Sequence, residues 1–371
     1  MISFGPTEEQ ELVQSTLRDF AKDVLRPAAR EADEASRLPE GLLDQAWELG
    51  LTSTQLPGTL GGGDEPRSPI TNALVLEELG CGDAALALAV AQPNLFAFAV
   101  ADLGTLEQKK RWLPLFTAPR FPATSVAWIE PSPVFDALAL QTQAEPKHGS
   151  FVLSGRKRCV VLGDRAEHFL VIARNAQSAE TGFGALDAFV VPRFASGVSV
   201  GPVEKNLGLK AVPTTSLVLD KVEVPAADRL GGDAGLDAER LLNLTRAALG
   251  AVMTGLARAV YDYALPYAKD RVAFGQPIAQ KQAIAFMLSD MRMETDAMRL
   301  LVWKAASELE RGADATRPSL FARSYAAEQC MKIADNGIQV LGGHGFVRDH
   351  PAEMWYRNAR TLGVLEGAAM I

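Results

Sequence analysis

From Thr7 to about Thr117, apolar residues recur at three- and four-residue steps, the period of helices that bury one face. Thr7 and Gln10 form a capping box, and Val13, Leu17, Phe20 and Val24 follow on one stripe. Pro27, Pro39, Pro57 and Gly61-Gly62-Gly63 punctuate this helical region, with further runs predicted over 71–79, 84–103 and 106–116. From about Phe121 to Gly231 the pattern shortens to alternation and brief apolar runs. Leu138, Leu140 and Thr142 alternate, and the turn Pro146-Lys147-His148-Gly149 leads into Phe151-Val152-Leu153, which predicts a hairpin. Further strands are expected over 169–173, 188–191 and 216–224, a set that fits a small barrel or sandwich. The helical period then returns. One long run covers 237–269, Ile284, Leu288, Met291, Met298 and Val302 stripe the next, and a third over 318–341 is closed by Gly342 as a left-handed cap. The pattern predicts an α+β multidomain protein with a helical domain over 1–120, a β domain over 121–232 and a helical bundle over 233–371.

Composition changes this picture little. At 371 residues the chain exceeds one ordinary core, in line with several domains. A formal net charge of -8 without a Lys/Arg block argues against a nucleic-acid surface. Cys81, Cys159 and Cys330 lack metal-ligand spacing and fit a reducing compartment. The opening Met1-Ile2-Ser3-Phe4-Gly5-Pro6 has neither a basic start nor an apolar signal core, and no stretch is long enough to cross a bilayer, so a cytoplasmic location is expected. His148, His168, His344 and His350 show no metal spacing, the methionines at 287, 291 and 298 read as bundle core, and Gly61-Gly62-Gly63 precedes no Lys-Ser/Thr pair.

Three segments carry candidate chemistry. Arg271-Val272-Ala273-Phe274-Gly275 places a guanidinium at a helix end before an aromatic and a glycine turn; the fork suits a pyrophosphate, and a surface ion pair beside a core phenylalanine is the plainer alternative. Gln339-Val340-Leu341-Gly342-Gly343-His344-Gly345 joins a helix end to glycines that let a ligand approach the backbone. Glu366 is a lone carboxylate in the apolar run 361–371. Burial would bring such a group toward the pH at which it takes a proton from carbon, whereas a fraying terminus would leave it solvated.

In this order, and with Glu9-Gln10, Phe20-Ala21, Pro27, Gly50-Leu51 and Leu219-Asp220-Lys221-Val222-Glu223-Val224-Pro225, these segments resemble the acyl-CoA dehydrogenase family over nearly the whole chain. The resemblance implies a helical domain, a β-barrel-like middle domain and a four-helix carboxyl-terminal domain, assembled as dimers or tetramers around FAD. It implies that Glu366 is the base that removes the α-proton of an acyl-CoA while hydride leaves the β-carbon for flavin N5. Asn243, Arg246 and Gly367 are carried over as substrate-binding, with Asn243 standing where the family has aspartate. Arg271, Phe274, Gln282, Gln339, Gly342 and Gly343 are carried over as FAD-binding, reaching the FAD of a neighbouring subunit. Electron transfer flavoprotein is the implied electron acceptor, and no nucleic-acid or membrane partner is expected.

The departures are informative. The family's Thr-Glu-Pro and Gly-Ser-Asp stretch is Ile129-Glu130-Pro131-Ser132-Pro133-Val134-Phe135-Asp136 here, and its aromatic-Ile-Thr after Gly-x-Lys is Cys159-Val160-Val161 after Gly155-Arg156-Lys157. Ala368 replaces a hydroxyl residue past the base, Leu365 stands where tyrosine is frequent, and the family's final helix is not read after Ile371. Each lost hydrogen bond to a buried ligand is worth ~0.5–1.5 kcal/mol. Donors for the ring half of the flavin are depleted, while those lent to a neighbour are kept. Two classes follow: a catalytic FAD-dependent acyl-CoA dehydrogenase, alone or paired with a related subunit, and a non-catalytic relative that completes a partner's FAD site. A relative doing oxidase or non-redox chemistry on the same scaffold is a third.

Overall fold

A computed structural model describes residues 5–371; Met1-Ile2-Ser3-Phe4, part of the opening read above, lies outside the described residues. Seven helices come first: α1 Glu8–Phe20, α2 Arg26–Ala35, α3 Leu42–Trp47, α4 Pro69–Gly82, α5 Ala84–Val90, α6 Gln92–Leu103 and α7 Leu106–Trp112. The Thr7–Gln10 capping box opens α1 as expected. Pro27 does not end a helix. A π-turn over Ala21–Leu25 shifts the register, and Pro27 falls in the first turn of α2, where a missing N–H costs little. The run over 84–103 divides at Ala91, where Pro93 opens α6. No single helix among the described residues is long and apolar enough to cross a membrane; α5 and α6 pass that test only as a pair bent by 42°, and nearly every residue of both is buried.

The middle region is one curled sheet of β1 Thr124–Ala127, β2 Gln143–Lys147, β3 Ser150–Val161, β4 His168–Asn175, β5 Leu186–Pro192, β6 Val198–Val203 and β7 Thr214–Pro225. The order is β1-β4-β2-β3-β7-β6, with β5 on the other edge of β4. The expected hairpin is β2–β3, in antiparallel register from Lys147 opposite Ser150. Leu138 to Thr142 is not a strand. Carboxylates claim its backbone: Leu138 N–H donates to Asp136, and Gln141 and Thr142 N–H donate to Glu130 at 2.7 and 2.9 Å. Strand alternation feeds two cores. Phe169, Val171, Phe189 and Val191 point into a core enclosed by the curl, while Leu170, Ile172, Ala188 and Val190 face the helices.

The carboxyl-terminal part holds α8 Ala238–Asp270, a small hairpin of β8 Val272–Ala273 and β9 Gln276–Pro277, then α9 Gln282–Glu310, α10 Thr316–Leu341 and α11 Ala352–Leu362. Asp237 caps α8 through the Arg240 N–H. α8 is buried almost all round over its first six turns, which makes it the central rod of the molecule, packed by α4, α9 and α10. Two glycines permit the crossing with α4: a Cβ on Gly255 would lie 2.1 Å from Glu77 O, and one on Gly80 would lie 2.5 Å from Val252 O. Gly342 does end α10 at positive φ, but its ψ of -130° takes the chain into a short 3-10 turn rather than the left-handed helical cap expected. The α11 helix docks the sheet domain, since Asn358 Oδ1 accepts from Leu209 N–H at 2.6 Å and Thr361 Oγ1 from Gly208 N–H at 2.9 Å.

Candidate active site

Glu366 stands four residues past the end of α11, between Leu365 and Gly367, in a segment whose neighbours are buried. Its side chain is 18% exposed and its Oε1 lies 3.4 Å from Nε of Arg246 on α8. Its Oε2 is buried without a hydrogen-bond partner. A carboxylate oxygen left unmatched inside a folded chain is costly unless something else meets it. Gly367 follows at φ 59°, a conformation that disfavours side chains, and a Cβ there would lie 2.8 Å from Cε3 of Trp128. The sequence reading missed Trp128. Its indole is 2% exposed, donates to Ala137 O at 3.2 Å and covers the residue beside Glu366. A single tryptophan leaving a four-residue strand was the only signal for it.

A buried ion pair fixes that stretch. Lys157 Nζ, fully buried on β3, donates to Glu130 Oε1 at 2.8 Å and to Trp128 O at 3.1 Å. Burial pushes Lys157 down to about 8, with Glu130 opposing. For Glu130, burial acts upward, and Lys157 together with the hydrogen bonds from Thr142 and Gln141 outweighs it to hold the carboxyl below its usual range. Cys159, where the resemblance expects an aromatic, sits at a bulge of β3 with φ 51°, and its N–H is taken by Glu204 at 3.1 Å. Burial moves its thiol upward.

Asn243, one turn before Arg246, is turned into the helix packing: it donates to Thr316 Oγ1 at 3.2 Å and accepts from Ser319 Oγ at 2.7 Å. A second arginine that the sequence reading passed over, Arg323 on α10, reaches the same segment as Glu366 and donates to Leu365 O at 2.6 Å.

The other predicted residues gather at the far end of α8. Arg271 follows its last turn with an exposed guanidinium that makes no bond among the described residues. Phe274 is 93% exposed and sits at φ 55° in the β8–β9 turn, so it bears both an unfavourable backbone and an unburied ring, with Lys281 Nζ 5.7 Å from the ring centre. Gln282 opens α9 and Gln339 lies in the last turn of α10, both exposed with unbonded amides. Tyr267 joins the two helix ends by donating to Leu341 O at 3.3 Å. Around Gly342 and Gly343 an added Cβ would meet nothing within 4 Å, so open space stands over both backbones. This unspent set of a guanidinium, two amides, an aromatic and bare backbone fits a pyrophosphate and an adenine. Near Trp128, by contrast, the chain offers that indole and backbone groups, without hydroxyls on 129 or 161 or an aromatic on 159. The structure therefore separates the predicted residues into two groups. From Arg246 to Arg271, at a rise of ~1.5 Å per residue, α8 carries them roughly 37 Å apart.

Comparison with known proteins bears on the whole chain. Profiles for the acyl-CoA dehydrogenase N-terminal, middle and C-terminal domains match residues 7–118, 125–222 and 235–371. A 3-(aryl)acrylate reductase of Clostridium sporogenes is 30% identical over 98% of this chain and 96% of its own length. A probable acyl-CoA dehydrogenase of Mycobacterium tuberculosis is 32% identical over 99% and 94%. Among solved structures, butyryl-CoA dehydrogenase of Megasphaera elsdenii superimposes with a TM-score of 0.87 at 29% identity, covering 97% of this chain and 95% of that one.

Proposed function

The chain belongs to the acyl-CoA dehydrogenase family of oxidoreductases, and from that premise we propose that it introduces an α,β double bond into an acyl-CoA thioester with Glu366 as base and FAD as cofactor. One observation carries the reading: the buried Oε2 of Glu366 has no partner among the described residues, while Arg246 engages its Oε1. That leaves one carboxylate oxygen free to receive a proton from carbon. Arg246 holds the other oxygen and with it the rotamer. By the family resemblance, the backbone N–H of Glu366 would meet the charge that gathers on the thioester oxygen. Trp128 packs directly against Gly367, the residue beside the base. FAD, when bound, supplies the acceptor for the hydride that leaves the β-carbon, and electron transfer flavoprotein is the proposed onward acceptor.

Arg271, Phe274, Gln282, Gln339, Gly342 and Gly343 would hold the pyrophosphate and adenine end. Their separation from Glu366 along α8 exceeds what one dinucleotide spans between ring and pyrophosphate. Each site in this reading is thus completed by a second chain, a copy or a related subunit, and the exposed stripe Phe286, Met293 and Leu300 on α9 supports association. The tight cover of Trp128 over Gly367 and the missing ring donors favour the second reading, a subunit that completes a partner's FAD site without holding a flavin ring of its own.

The test is made on the purified native assembly with butanoyl-CoA as probe, by measuring the FAD-to-polypeptide ratio and bleaching of flavin absorbance. One FAD per chain, bleached by the thioester in wild type and not in Glu366→Gln, supports the first reading. Fewer FAD than chains, with bleaching indifferent to Glu366→Gln, supports the second.

A further inference from the structure

We infer that Arg323 is a positioning residue for the base, holding the 362–366 segment so that Glu366 meets substrate in one orientation; this rests on the assignment of Glu366 above. Arg323 lies on α10 and is 6% exposed. Its Nη2 donates to Leu362 O at 3.3 Å, Gly363 O at 3.1 Å and Leu365 O at 2.6 Å. Leu362 O also accepts from Leu365 N–H at 3.2 Å, and Gly363 O lies just past the end of α11, where a cation complements the helix dipole. The third belongs to the residue joined to Glu366. One nitrogen thereby couples the helix end to the peptide that carries the carboxylate.

Packing alone does not account for this arrangement. A guanidinium is expensive to bury, and carbonyls at a helix end can be met by water or a glycine cap at far lower cost. Burial lowers the proton affinity of Arg323, Glu366 opposes that effect, and Arg246 adds to it, so the three groups feel one another. Arg323 Nε and Glu366 Oε2 are both buried and both unbonded. Arg246 on α8 fixes one carboxylate oxygen, and Arg323 on α10 fixes the backbone behind it. The two arginines leave the side chain no freedom except at the oxygen that reacts.

The experiment compares Arg323→Met, Arg323→Lys and Glu366→Gln in the intact assembly. Amide hydrogen exchange over 362–371 is followed, together with kcat and KM for butanoyl-CoA. The expected result for Arg323→Met is faster exchange confined to that segment and kcat lower by roughly 10- to 100-fold, as for a small misplacement of a reacting group, with KM within about threefold. Arg323→Lys, which keeps the charge but not the fork, should recover part of both; it also serves if the methionine variant does not fold. Unchanged segment exchange and kcat in both variants would overturn the inference. Full activity in Glu366→Gln alongside a selective loss of exchange protection in Arg323→Met would remove the base assignment while leaving the positioning role intact.

Discussion

At Gly367 backbone geometry and side-chain packing make the same demand. A positive φ of 59° disfavours any side chain, and Trp128 leaves no room for a methyl group. Gly367→Ala is therefore expected to cost about 1–3 kcal/mol, read as a lower midpoint in thermal or denaturant unfolding, because both the strain and the displaced indole count against it. Trp128→Gly is itself destabilising, but in its background the added cost of Gly367→Ala should be smaller, as a double-mutant cycle reads. Glu366 is noticeable in the sequence because a charge interrupts an apolar run, and its role as base is implied by the resemblance, while its place beside Arg246 emerges only in the structure. Trp128 and Arg323 were not legible. Each acts through groups far away in sequence, Gly367 and Leu365, and no local pattern announces such a meeting.

At the scale of elements, what was legible is what local chemistry decides. The cap at Thr7, the long run beginning at Asp237 and the stripe of α9 are all written within a few residues, and the structure keeps them. Pro27 misled because the π-turn before it is a tertiary adjustment: Gly82 packs there so closely that an added Cβ would lie 2.9 Å from Ala21 Cβ. β1 escaped notice because all four of its residues are buried, which erases alternation, and β6 because Gly201 and Pro202 interrupt it. The Glu130–Lys157 pair joins the segment after β1 to β3, beside the bond from Arg158 N–H to Ile129 O. Glu130→Gln alone should cost about 3–5 kcal/mol, because it strands a buried ammonium. Adding Lys157→Met should restore a good part of that loss, and a double-mutant cycle by urea unfolding measures the coupling.

Across the whole molecule, the helical regions are tied together by carboxylates in arginine clusters. Glu78 on α4 accepts from Arg18 on α1 and Arg258 on α8, and Glu353 on α11 accepts from Arg30 on α2 and from Arg357. Burial pushes both carboxyls up, and their arginines outweigh it to hold them below the usual glutamate range. A depressed folded-state pKa gives stability that is fully present above the unfolded value, ~4.3 for glutamate, and is lost as pH falls through the folded value. Unfolding free energy should thus decline below about pH 4.3 through these groups, and Glu78→Gln should flatten that acid limb in a stability–pH series.

The length of α8 has a consequence for genetics. If two copies share their sites, a chain disabled by Glu366→Gln and one disabled by Arg271→Glu carry their lesions at opposite ends of that rod. A mixed pair would gather both lesions into one site and leave the other wholly wild type, so each mixed pair would keep about half activity and random pairing on co-expression would restore about a quarter, whereas an obligate pairing with a different gene product would show no such rescue.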